Sequence, residues 1–322
     1  MDAAYIEEFG PAEAIRFGEL PAPRPGPGEV LVEVAATTVN HVDTFVRSGA
    51  VRTPVEFPFV VGRDLVGRVA GAGAAGFPAG TPVWCNSMGH GGRQGAAAEL
   101  AAVPAERLYQ LPPGVDPRLA VTLVHPVATA YLGLVTHGGL RPGRTVAVVG
   151  AAGNVGSAMV AVAAAAGARV VAVARAADEA RCRALGAEVV LDRREAAAGG
   201  LARACPGGVD VYADAAGAND VPAAVEALAP RGRLVLLAGM ASRPVLPVGP
   251  LYVADRSVVG FAITNATVAE LAAAAGCVDA VLSAGRLRPR EVVGLPLSAT
   301  AEAHRMLESG RLRGRRVVLD VR

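Results

Sequence analysis

The chain contains no lysine, so all 31 of its basic residues are arginine. This absence excludes chemistry that needs a side-chain amine, such as Schiff-base catalysis, lysine-bound pyridoxal phosphate and the lysine of a Walker phosphate loop. A phosphate that is recognised by a side-chain charge must therefore meet arginine, whose planar guanidinium binds it through two parallel hydrogen bonds.

Cysteine is scarce as well, and Cys85, Cys182, Cys205 and Cys277 lie far apart without a CxxC spacing. This spacing argues against a zinc knuckle or a redox pair. The net charge of +2 is too small and too dispersed for a nucleic-acid-binding surface. The acidic N-terminus does not resemble a secretory signal, and Gly, Pro and Arg interrupt the apolar stretches. We therefore predict a cytoplasmic protein without a nucleic-acid or membrane partner.

Two kinds of sequence pattern divide the 322 residues. Up to about residue 120, short apolar runs alternate with Gly and Pro, as in GEVLVEVAATTVN, which predicts a partly closed β-barrel. Six β-branched runs with alanine-rich helical stretches between them follow, and they predict a doubly wound sheet of six parallel strands. The last strand, RRVVLDV, has no helix of its own and is expected to return to the barrel. The predicted domains are 1–122 with 265–322, and 123–264.

A glycine-rich bend follows the first of these six strands. Gly150, Gly153 and Gly156 stand three residues apart, between the strand TVAVV and a helix of small residues. A strand, bend, helix and second strand within about 30 residues is the context that a dinucleotide fingerprint requires. Free N–H groups at the helix start would bind the pyrophosphate. The residues predicted to do so are Gly150, Ala151, Ala152, Gly153, Asn154 and Val155.

Arginine follows the second strand, at a position where sites for NAD usually carry Asp or Glu. A 2′-phosphate repels an acid and needs a cation, so Arg175 favours NADP(H) over NAD(H). Arg193, which follows the third strand, is predicted to reach the same pocket from the neighbouring loop. Asp178 lies nearby and argues weakly against the phosphate, and the alternative is that both arginines are ordinary surface residues.

With these features the chain resembles the medium-chain dehydrogenase/reductase superfamily, and within it the zinc-independent quinone oxidoreductases. The segments that carry the resemblance occur in the expected order along nearly the whole chain: NHVDTFVRSG, FPFVVGRDLVGRV, GRQGAAAEL, ATAYLGL, GAAGNVG, SAGRLRP and LSATAEAHRMLESGRLRGRRVVL. The resemblance implies a GroES-like barrel domain, a Rossmann domain and a homodimer formed through the nucleotide-binding domains.

The resemblance also implies particular site residues. Asn40 matches an asparagine that donates its amide to the cofactor or to a substrate carbonyl, although a turn-stabilising role is equally open. Thr129 matches a residue near the nicotinamide. The ends of the fifth and sixth strands are expected to frame the nicotinamide through backbone groups, and these residues are Gly239, Met240, Phe261, Ala262 and Ile263.

No metal is predicted at this site. Zinc-binding relatives carry a cysteine near position 40 and Gly-His-Glu near position 62, whereas this chain has Asn40 and Gly62-Arg63-Asp64. His41, Asp43, Cys85 and His90 do not give three evident convergent ligands. We interpret Asp43 and Arg47 instead as a mutual ion pair that fixes their loop.

Without a Lewis acid, the best substrate spreads the incoming charge itself, as quinones and α,β-unsaturated carbonyls do. The sequence thus predicts an NADPH-dependent quinone or enone reductase. His41 and Phe45 replace a proline and a tyrosine of several relatives, which leaves the proton donor open between Tyr131 and water. Two alternatives remain, a nucleotide-retaining regulatory protein and a tailoring reductase for one natural product.

Overall fold

The computed structural model describes residues 1–71, 73, 76–312 and 314–321. The strands in chain order are β1 Asp2–Ile6, β2 Arg16–Glu19, β3 Glu29–Thr38, β4 Phe59–Val60, β5 Asp64–Val69, β6 Pro82–Cys85, β7 Leu100–Pro104, β8 Tyr109–Gln110, β9 Thr145–Val149, β10 Arg169–Ala174, β11 Val189–Asp192, β12 Val209–Asp214, β13 Leu228–Leu236, β14 Ser257–Gly260, β15 Val292–Pro296 and β16 Arg316–Asp320. The α-helical segments are α1 His41–Arg47, α2 Pro117–Tyr131, α3 Asn154–Ala165, α4 Glu179–Ala184, α5 Arg193–Glu195, α6 Leu201–Ala204, α7 Val221–Ala227, α8 Val248–Tyr252, α9 Val268–Ala284 and α10 Thr300–Glu308.

The chain forms two compact units, 1–125 with 288–322, and 126–287. The predicted division at 265 differs from this at the C-terminal side, because α9 belongs to the second unit. This helix packs against the π-helix Leu132–His137 of that unit. From the sequence we expect this segment in the barrel domain, because it follows the last strand of the parallel sheet. The order of elements along the chain does not give the element against which the helix packs.

The first unit is built on β3, whose alternating side chains place Val30, Val32 and Val34 in the core. Its main sheet has the order β15-β16-β3-β5-β6-β8, and β7 also pairs with β3. The order of a smaller sheet is β2-β1-β4. As predicted, the C-terminal strand returns to this unit, where β16 pairs antiparallel with β3.

The second unit contains the predicted parallel sheet, in the order β11-β10-β9-β12-β13-β14 for its described strands. This is the strand order of a Rossmann fold. All strands are parallel, and the order in which the chain adds them to the sheet reverses between the first and the fourth strand. Strand β9 lies at that reversal, and its apolar run is almost fully buried. The carboxyl ends of β9, β10, β12 and β13 therefore share one edge, where ligands of such sheets bind.

The stretch 117–137 is long and apolar enough to cross a membrane by length and composition, with a hydropathy of 1.6. The sequence argues against a membrane span, because Gly, Pro and Arg interrupt the apolar stretches. In the structure, 78% of its most apolar window is buried within the protein, as for the core helix of a folded domain.

Helix α1 occupies the loop in which Asp43 and Arg47 were expected to pair, and that prediction is wrong. Arg47 instead donates to both oxygens of Glu308, at 3.2 and 2.7 Å, and to the carbonyl oxygen of Gly10 at 3.1 Å. Asp43 accepts a hydrogen bond from the backbone of Asn40 at 2.7 Å and so caps α1. The reason is that α10 packs against α1 and presents its own carboxylate to the guanidinium.

His304 of α10 is fully buried beside this ion pair, with Nδ1 3.4 Å from Arg47. Burial, together with the neighbouring Arg47 charge, lowers the pKa of His304 to about 3. The ring is therefore neutral in the folded protein at pH 7, whereas in the unfolded chain it gains a proton near the ordinary histidine pKa of about 6.5.

We expect His304→Gln to make the free energy of unfolding less sensitive to acid. The pKa of His304 is lower in the folded than in the unfolded protein. Its contribution to the free energy of unfolding is therefore complete above about pH 6.5 and is lost as the pH falls toward 3. Urea unfolding at pH 7, 5.5 and 4.5 measures this slope. Equal slopes for His304→Gln and the unaltered protein would contradict the buried, neutral ring.

Candidate active site

The glycine-rich bend lies at the carboxyl end of β9. The N–H groups of Gly150 and Ala151 both donate to the carbonyl oxygen of Val173, at 3.1 and 3.2 Å. The bond from Ser157 N–H to the Gly153 carbonyl, at 2.9 Å, closes the first turn of α3. The N–H groups at the start of α3 precede this bond and are the unpaired donors that every helix presents at its N-terminus. Together with the helix dipole they give this end of α3 a partial positive charge, and anion binding at this position remains a prediction.

Two glycines allow this bend to be so tight. Gly150 has a φ of 76°, in the left-handed region. A Cβ on Gly156 would overlap the carbonyl oxygen of Gly150, so only glycine lets α3 start this close to the end of β9. A Cβ on Gly153 would lie 3.2 Å from the same oxygen. These three glycines, the glycine cradle, thus bring the start of α3 to the place where a pyrophosphate binds in a dinucleotide site.

Arg175 and Arg193 lie side by side at the neighbouring part of this edge. Strands β10 and β11 are parallel, and Ala174 is in register with Asp192, so each arginine is the next residue after a paired position. Neighbouring strands are separated by about 4.8 Å. Arg175 donates to Asp178 at 3.1 Å, yet its side chain is 70% exposed. The register thus brings together the two arginines that were predicted to share a pocket.

Asp214, at the end of β12, is not among the predicted site residues. Its carboxylate accepts hydrogen bonds from the N–H groups of Ala216 and Gly217, both at 2.9 Å, and of Asn219 at 2.6 Å. The Asn219 amide in turn donates to the Ala238 carbonyl at 3.2 Å. These bonds hold the loops after β12 and β13 together. The signal in the sequence was an acidic residue at a strand end, followed by small residues.

The residues expected to frame the nicotinamide lie near the same edge. Gly239 and Met240 follow β13 as predicted, and the Met240 side chain is 51% exposed. Phe261, Ala262 and Ile263 were placed within the sixth strand, but β14 ends at Gly260 and they follow it. The Phe261 ring stacks on His137, with centroids 4.8 Å apart.

Helix α2 carries the other two predicted residues. Thr129 is 6% exposed, and its hydroxyl has no hydrogen-bond partner among the described residues. An unpaired buried hydroxyl is costly, so it needs a partner such as a ligand atom or an ordered water. Tyr131 is the last residue of α2 and is half-buried.

A buried polar cluster surrounds Asn40 in the first unit. The Asn40 amide donates to Asp64 Oδ2 at 2.8 Å, and its carbonyl oxygen accepts from Arg316 at 3.0 Å. The other carboxylate oxygen of Asp64, Oδ1, lies 3.4 Å from His125 Nδ1. Both ends of the Asn40 side chain are therefore engaged inside the protein. This arrangement corresponds to the structural role that the sequence left open, and a role toward a cofactor remains a prediction.

The charges of the cluster are strongly perturbed by burial. Desolvation, and then the nearby Asp64 carboxylate, raises the pKa of Asp43 to about 7. Burial lowers the pKa of Arg63 and of Arg316, while the Asp64 and Asp43 carboxylates oppose that shift. Arg63 is 3% exposed, and its Nε lacks a hydrogen-bond partner in the described part of the chain.

The sequence analysis assigned no role to His125, Arg63, Asp64 or Arg316. The only sequence feature that marks them is a polar residue within an apolar stretch. Their contacts join β5, α2 and β16, which are far apart in sequence, so no local pattern predicts them.

The residues present fit a dinucleotide cofactor. The glycine cradle accepts a pyrophosphate, and the Thr129 hydroxyl is a buried polar atom without a partner. Within residues 1–71, 73, 76–312 and 314–321, no three His, Cys, Asp or Glu side chains are grouped so that they could hold a metal ion.

Comparison with known families identifies two segments. Residues 26–113 match the alcohol dehydrogenase GroES-like domain, and residues 154–278 match the zinc-binding dehydrogenase family. The two matches fall in the first and the second unit respectively.

Individual relatives match over nearly the whole chain. Quinone oxidoreductase of Rattus norvegicus is 29% identical over 313 residues, which are 94% of this chain and 93% of the relative. A crystal structure of an NAD-dependent alcohol dehydrogenase is 30% identical with a TM-score of 0.87, and all of both chains is covered. A mycobacterial protein complexed with NADPH is 30% identical with a TM-score of 0.82, covering 99% of this chain and 100% of the other.

We expect Gly156→Ala to destabilise the second unit and to weaken dinucleotide binding, because its Cβ would push the start of α3 away from Gly150. Overpacking of this kind costs about 1–3 kcal/mol. Gly276→Ala is the matched control, since a Cβ at this exposed position of α9 meets nothing within 4 Å.

The control should gain up to about 1 kcal/mol from helix propensity. Chemical denaturation and a nucleotide titration of both variants measure the two effects. A stable Gly156→Ala protein with unchanged affinity would contradict the close approach.

Proposed function

The chain belongs to the medium-chain dehydrogenase/reductase superfamily, as a quinone oxidoreductase-like member of these oxidoreductases, and we propose that it is an NADPH-dependent reductase of quinones or α,β-unsaturated carbonyls. The fold, the glycine cradle and the whole-length relatives support the membership of this superfamily. The coenzyme preference and the substrate class are the proposal.

The observation that carries the coenzyme preference is the adjacency of Arg175 and Arg193. The 2′-phosphate of NADPH adds a dianion next to the adenosine ribose, at the end of the second strand of such a sheet. Two guanidinium groups on neighbouring strand ends provide a fork of donors for it. No acidic residue occupies position 175 itself, where a carboxylate would bind the ribose 2′-hydroxyl of NAD.

Several parts of the chain would hold this cofactor. The N–H groups at the start of α3 bind the pyrophosphate, and Arg175 and Arg193 bind the 2′-phosphate. Thr129 and the residues after β13 and β14 are proposed to contact the nicotinamide. When bound, the reduced nicotinamide supplies a hydride.

The side chains at the positions of the zinc ligands support a hydride acceptor that delocalises negative charge. The positions that hold cysteine and histidine in zinc-binding relatives carry an amide and a guanidinium here, Asn40 and Arg63. The Arg63 guanidinium supplies positive charge, which suits an oxygen that gains negative charge gradually. A quinone or an enone spreads that charge over its conjugated system.

One observation supports a second candidate function. The Asn40 amide nitrogen donates to Asp64 at 2.8 Å and to Asp43 at 3.5 Å, and its oxygen accepts from Arg316, so it has no free donor for a substrate. A protein that retains NADPH but reduces nothing, and acts as a regulator, would show this feature. A tailoring reductase for one large natural product would also fail with simple acceptors.

We further propose a cytoplasmic homodimer that forms through the second unit. Strand β14 is at the edge of the described sheet, and it pairs there with β13. The segment before it exposes large apolar side chains, among them Val245 at 75%, Tyr252 at 71% and Val253 at 77%. An unpaired edge strand beside exposed apolar residues is typical of a surface that pairs with another chain.

The test of the proposed function is coenzyme oxidation with a panel of quinones and enones. We expect turnover with NADPH and at least ten times weaker binding of NADH, measured by nicotinamide fluorescence. NADPH binding without turnover of any acceptor at high protein concentration would favour the regulatory alternative.

Arg175→Ala tests the coenzyme preference directly. It should weaken NADPH binding roughly tenfold to a hundredfold, the size expected for a charge-assisted pair, and leave NADH nearly unchanged. Arg183→Ala is the matched control, because this exposed arginine pairs with Glu179 within α4. Equal losses for both coenzymes in Arg175→Ala would remove the basis of the NADPH proposal.

Light scattering after gel filtration tests the dimer. We expect twice the chain mass of 32.4 kDa, and a monomer for Val253→Asp, since a carboxylate in an apolar interface is unpaired. Phe17→Asp changes an apolar side chain of the first unit that is 44% exposed and should leave the dimer intact. A monomeric unaltered protein would contradict the proposal.

A further inference from the structure

Three strand ends meet at one edge of the main sheet in the first unit. Strand β6 pairs antiparallel with β5 on one side, where Leu65 opposes Cys85. On its other side it pairs antiparallel with β8, where Tyr109 opposes Trp84. The start of β5, the end of β6 and the start of β8 therefore lie at the same edge. Because neighbouring strands are about 4.8 Å apart, residues just outside these three ends are close in space.

Each of these strand ends carries an arginine. Arg63 and Arg107 each lie two residues before a position of β5 or β8 that is paired with β6. Arg93 belongs to the loop after β6, which folds back over Arg63. In that loop the Met88 N–H donates to the Arg63 carbonyl oxygen at 3.1 Å, and Arg93 Nε donates to the Ser87 carbonyl oxygen at 3.0 Å. The backbone thus holds three guanidinium groups at one sheet edge.

The Arg63 guanidinium is a buried cation without a bonded partner. The residue is 3% exposed, and its Nε is shielded from solvent without a hydrogen bond. No hydrogen bond or ion pair joins its guanidinium to another residue in the described part of the chain. Asp64 and Asp43 act on it through electrostatics alone. Burial of a charge without hydrogen bonds is costly, and a bound anion would offset that cost.

The side chains around Arg63 add positive charge to this edge. Burial, and then the charges of Arg63, Arg93 and Arg107, lowers the pKa of the half-buried His90. Burial, and then Arg107 and Arg63, lowers the pKa of Arg93 as well. Glu106 opposes the shift of Arg93, but its side chain is exposed. Like charges that are held together in a partly buried place attract a ligand of the opposite charge.

We propose that Arg63, Arg93, Arg107 and His90, which we call the arginine site, bind an oxyanion, the carboxylate or phosphate group of a small molecule. A guanidinium presents parallel N–H donors that match the oxygens of either group. The proposed function requires only the positive charge of Arg63. Stable anion binding goes beyond that function and needs neither coenzyme nor hydride acceptor.

Arg63→Met tests whether the buried cation is held for a ligand. Methionine fills similar space without charge, so in the absence of phosphate the variant should be at least as stable as the unaltered protein. Inorganic phosphate should then stabilise the unaltered protein more than the variant. Urea unfolding at rising phosphate concentration, with chloride holding the ionic strength constant, measures both effects.

Arg68→Met is the matched control. It removes the same charge from the same strand, but Arg68 is exposed and donates to the Gly80 carbonyl oxygen at 3.0 Å. This variant should keep the full response to phosphate. Phosphate also stabilises folded proteins in general through its exclusion from their surface, and all three proteins share that effect.

Calorimetric titration with inorganic phosphate and with malonate measures the affinity itself. Arg63→Met should weaken binding roughly tenfold to a hundredfold, the size expected for charge-assisted hydrogen bonds. Arg107→Ala removes a half-buried side chain at the rim of the site and should weaken binding by a smaller factor. Tighter binding of malonate identifies a carboxylate ligand, and tighter binding of phosphate identifies a phosphorylated one.

The second unit offers a competing place for phosphate, the proposed 2′-phosphate pocket. Phosphate should therefore still bind to Arg175→Ala, and this binding should be lost when Arg63→Met is added. Binding that Arg175→Ala abolishes and Arg63→Met leaves intact overturns the inference, while the proposed function stands.

Two further results would overturn the arginine site. One is an equal response to phosphate in Arg63→Met and Arg68→Met. The other is an Arg63→Met protein that is less stable than the unaltered protein without phosphate, because the fold itself would then stabilise the guanidinium. The titrations contain neither coenzyme nor hydride acceptor, so a failure of the proposed function leaves their outcome unchanged.

Discussion

The contact between the Gly150 carbonyl and the Gly156 backbone is the constraint on which the second unit depends. It allows α3 to begin directly behind the end of β9, because a Cβ at position 156 would overlap that carbonyl oxygen. The helix then points its unpaired N–H groups along the edge of the sheet at the reversal of strand order. The Ala174–Asp192 register, in turn, fixes the two arginines beside that surface. The proposed anion recognition would therefore depend on backbone packing first and on side-chain charge second.

In the first unit, the main constraint is the burial of charged side chains. Asp64 is fully buried, and burial of a carboxylate is costly unless hydrogen bonds and opposite charges accompany it. Asn40 supplies the hydrogen bond, and Arg316 supplies the charge from the C-terminal strand. Because β16 reaches this position only by pairing with β3, the cluster is complete only after the two ends of the chain have met. Completion of the cluster thus requires closure of the fold in this unit.

The strands, the glycine bend and the arginine positions could be predicted from the sequence, because each depends on residues within about 30 positions of one another. The return of the last strand was also predicted, since that strand has no helix to cover it. The polar cluster could not be predicted in the same way. Asp64, His125 and Arg316 approach one another only through tertiary packing, and no local pattern marks their contacts.

The failed Asp43–Arg47 prediction has the same cause. Spacing on a helix makes that pair geometrically possible, but α10 offers Glu308 to the guanidinium while the Asp43 carboxylate caps the helix start. The position of α9 is a third example, because packing against Leu132–His137 decides its unit and chain order does not.

The pairing of Arg175 with Asp178 bears on the coenzyme preference. Taken alone, an acid 3.1 Å from the arginine would argue that the guanidinium is already satisfied. The geometry argues otherwise, because the Arg175 side chain is 70% exposed and an exposed ion pair contributes only about 0–1 kcal/mol. A phosphate dianion offers the guanidinium a stronger, bidentate partner, and Arg193 from the adjacent strand end adds a second cation. Asp178 itself is 4% exposed, so it holds the base of the loop while the guanidinium remains accessible. In the proposed NADPH site, the acid near the second strand would orient the arginine, and the arginine would bind the phosphate.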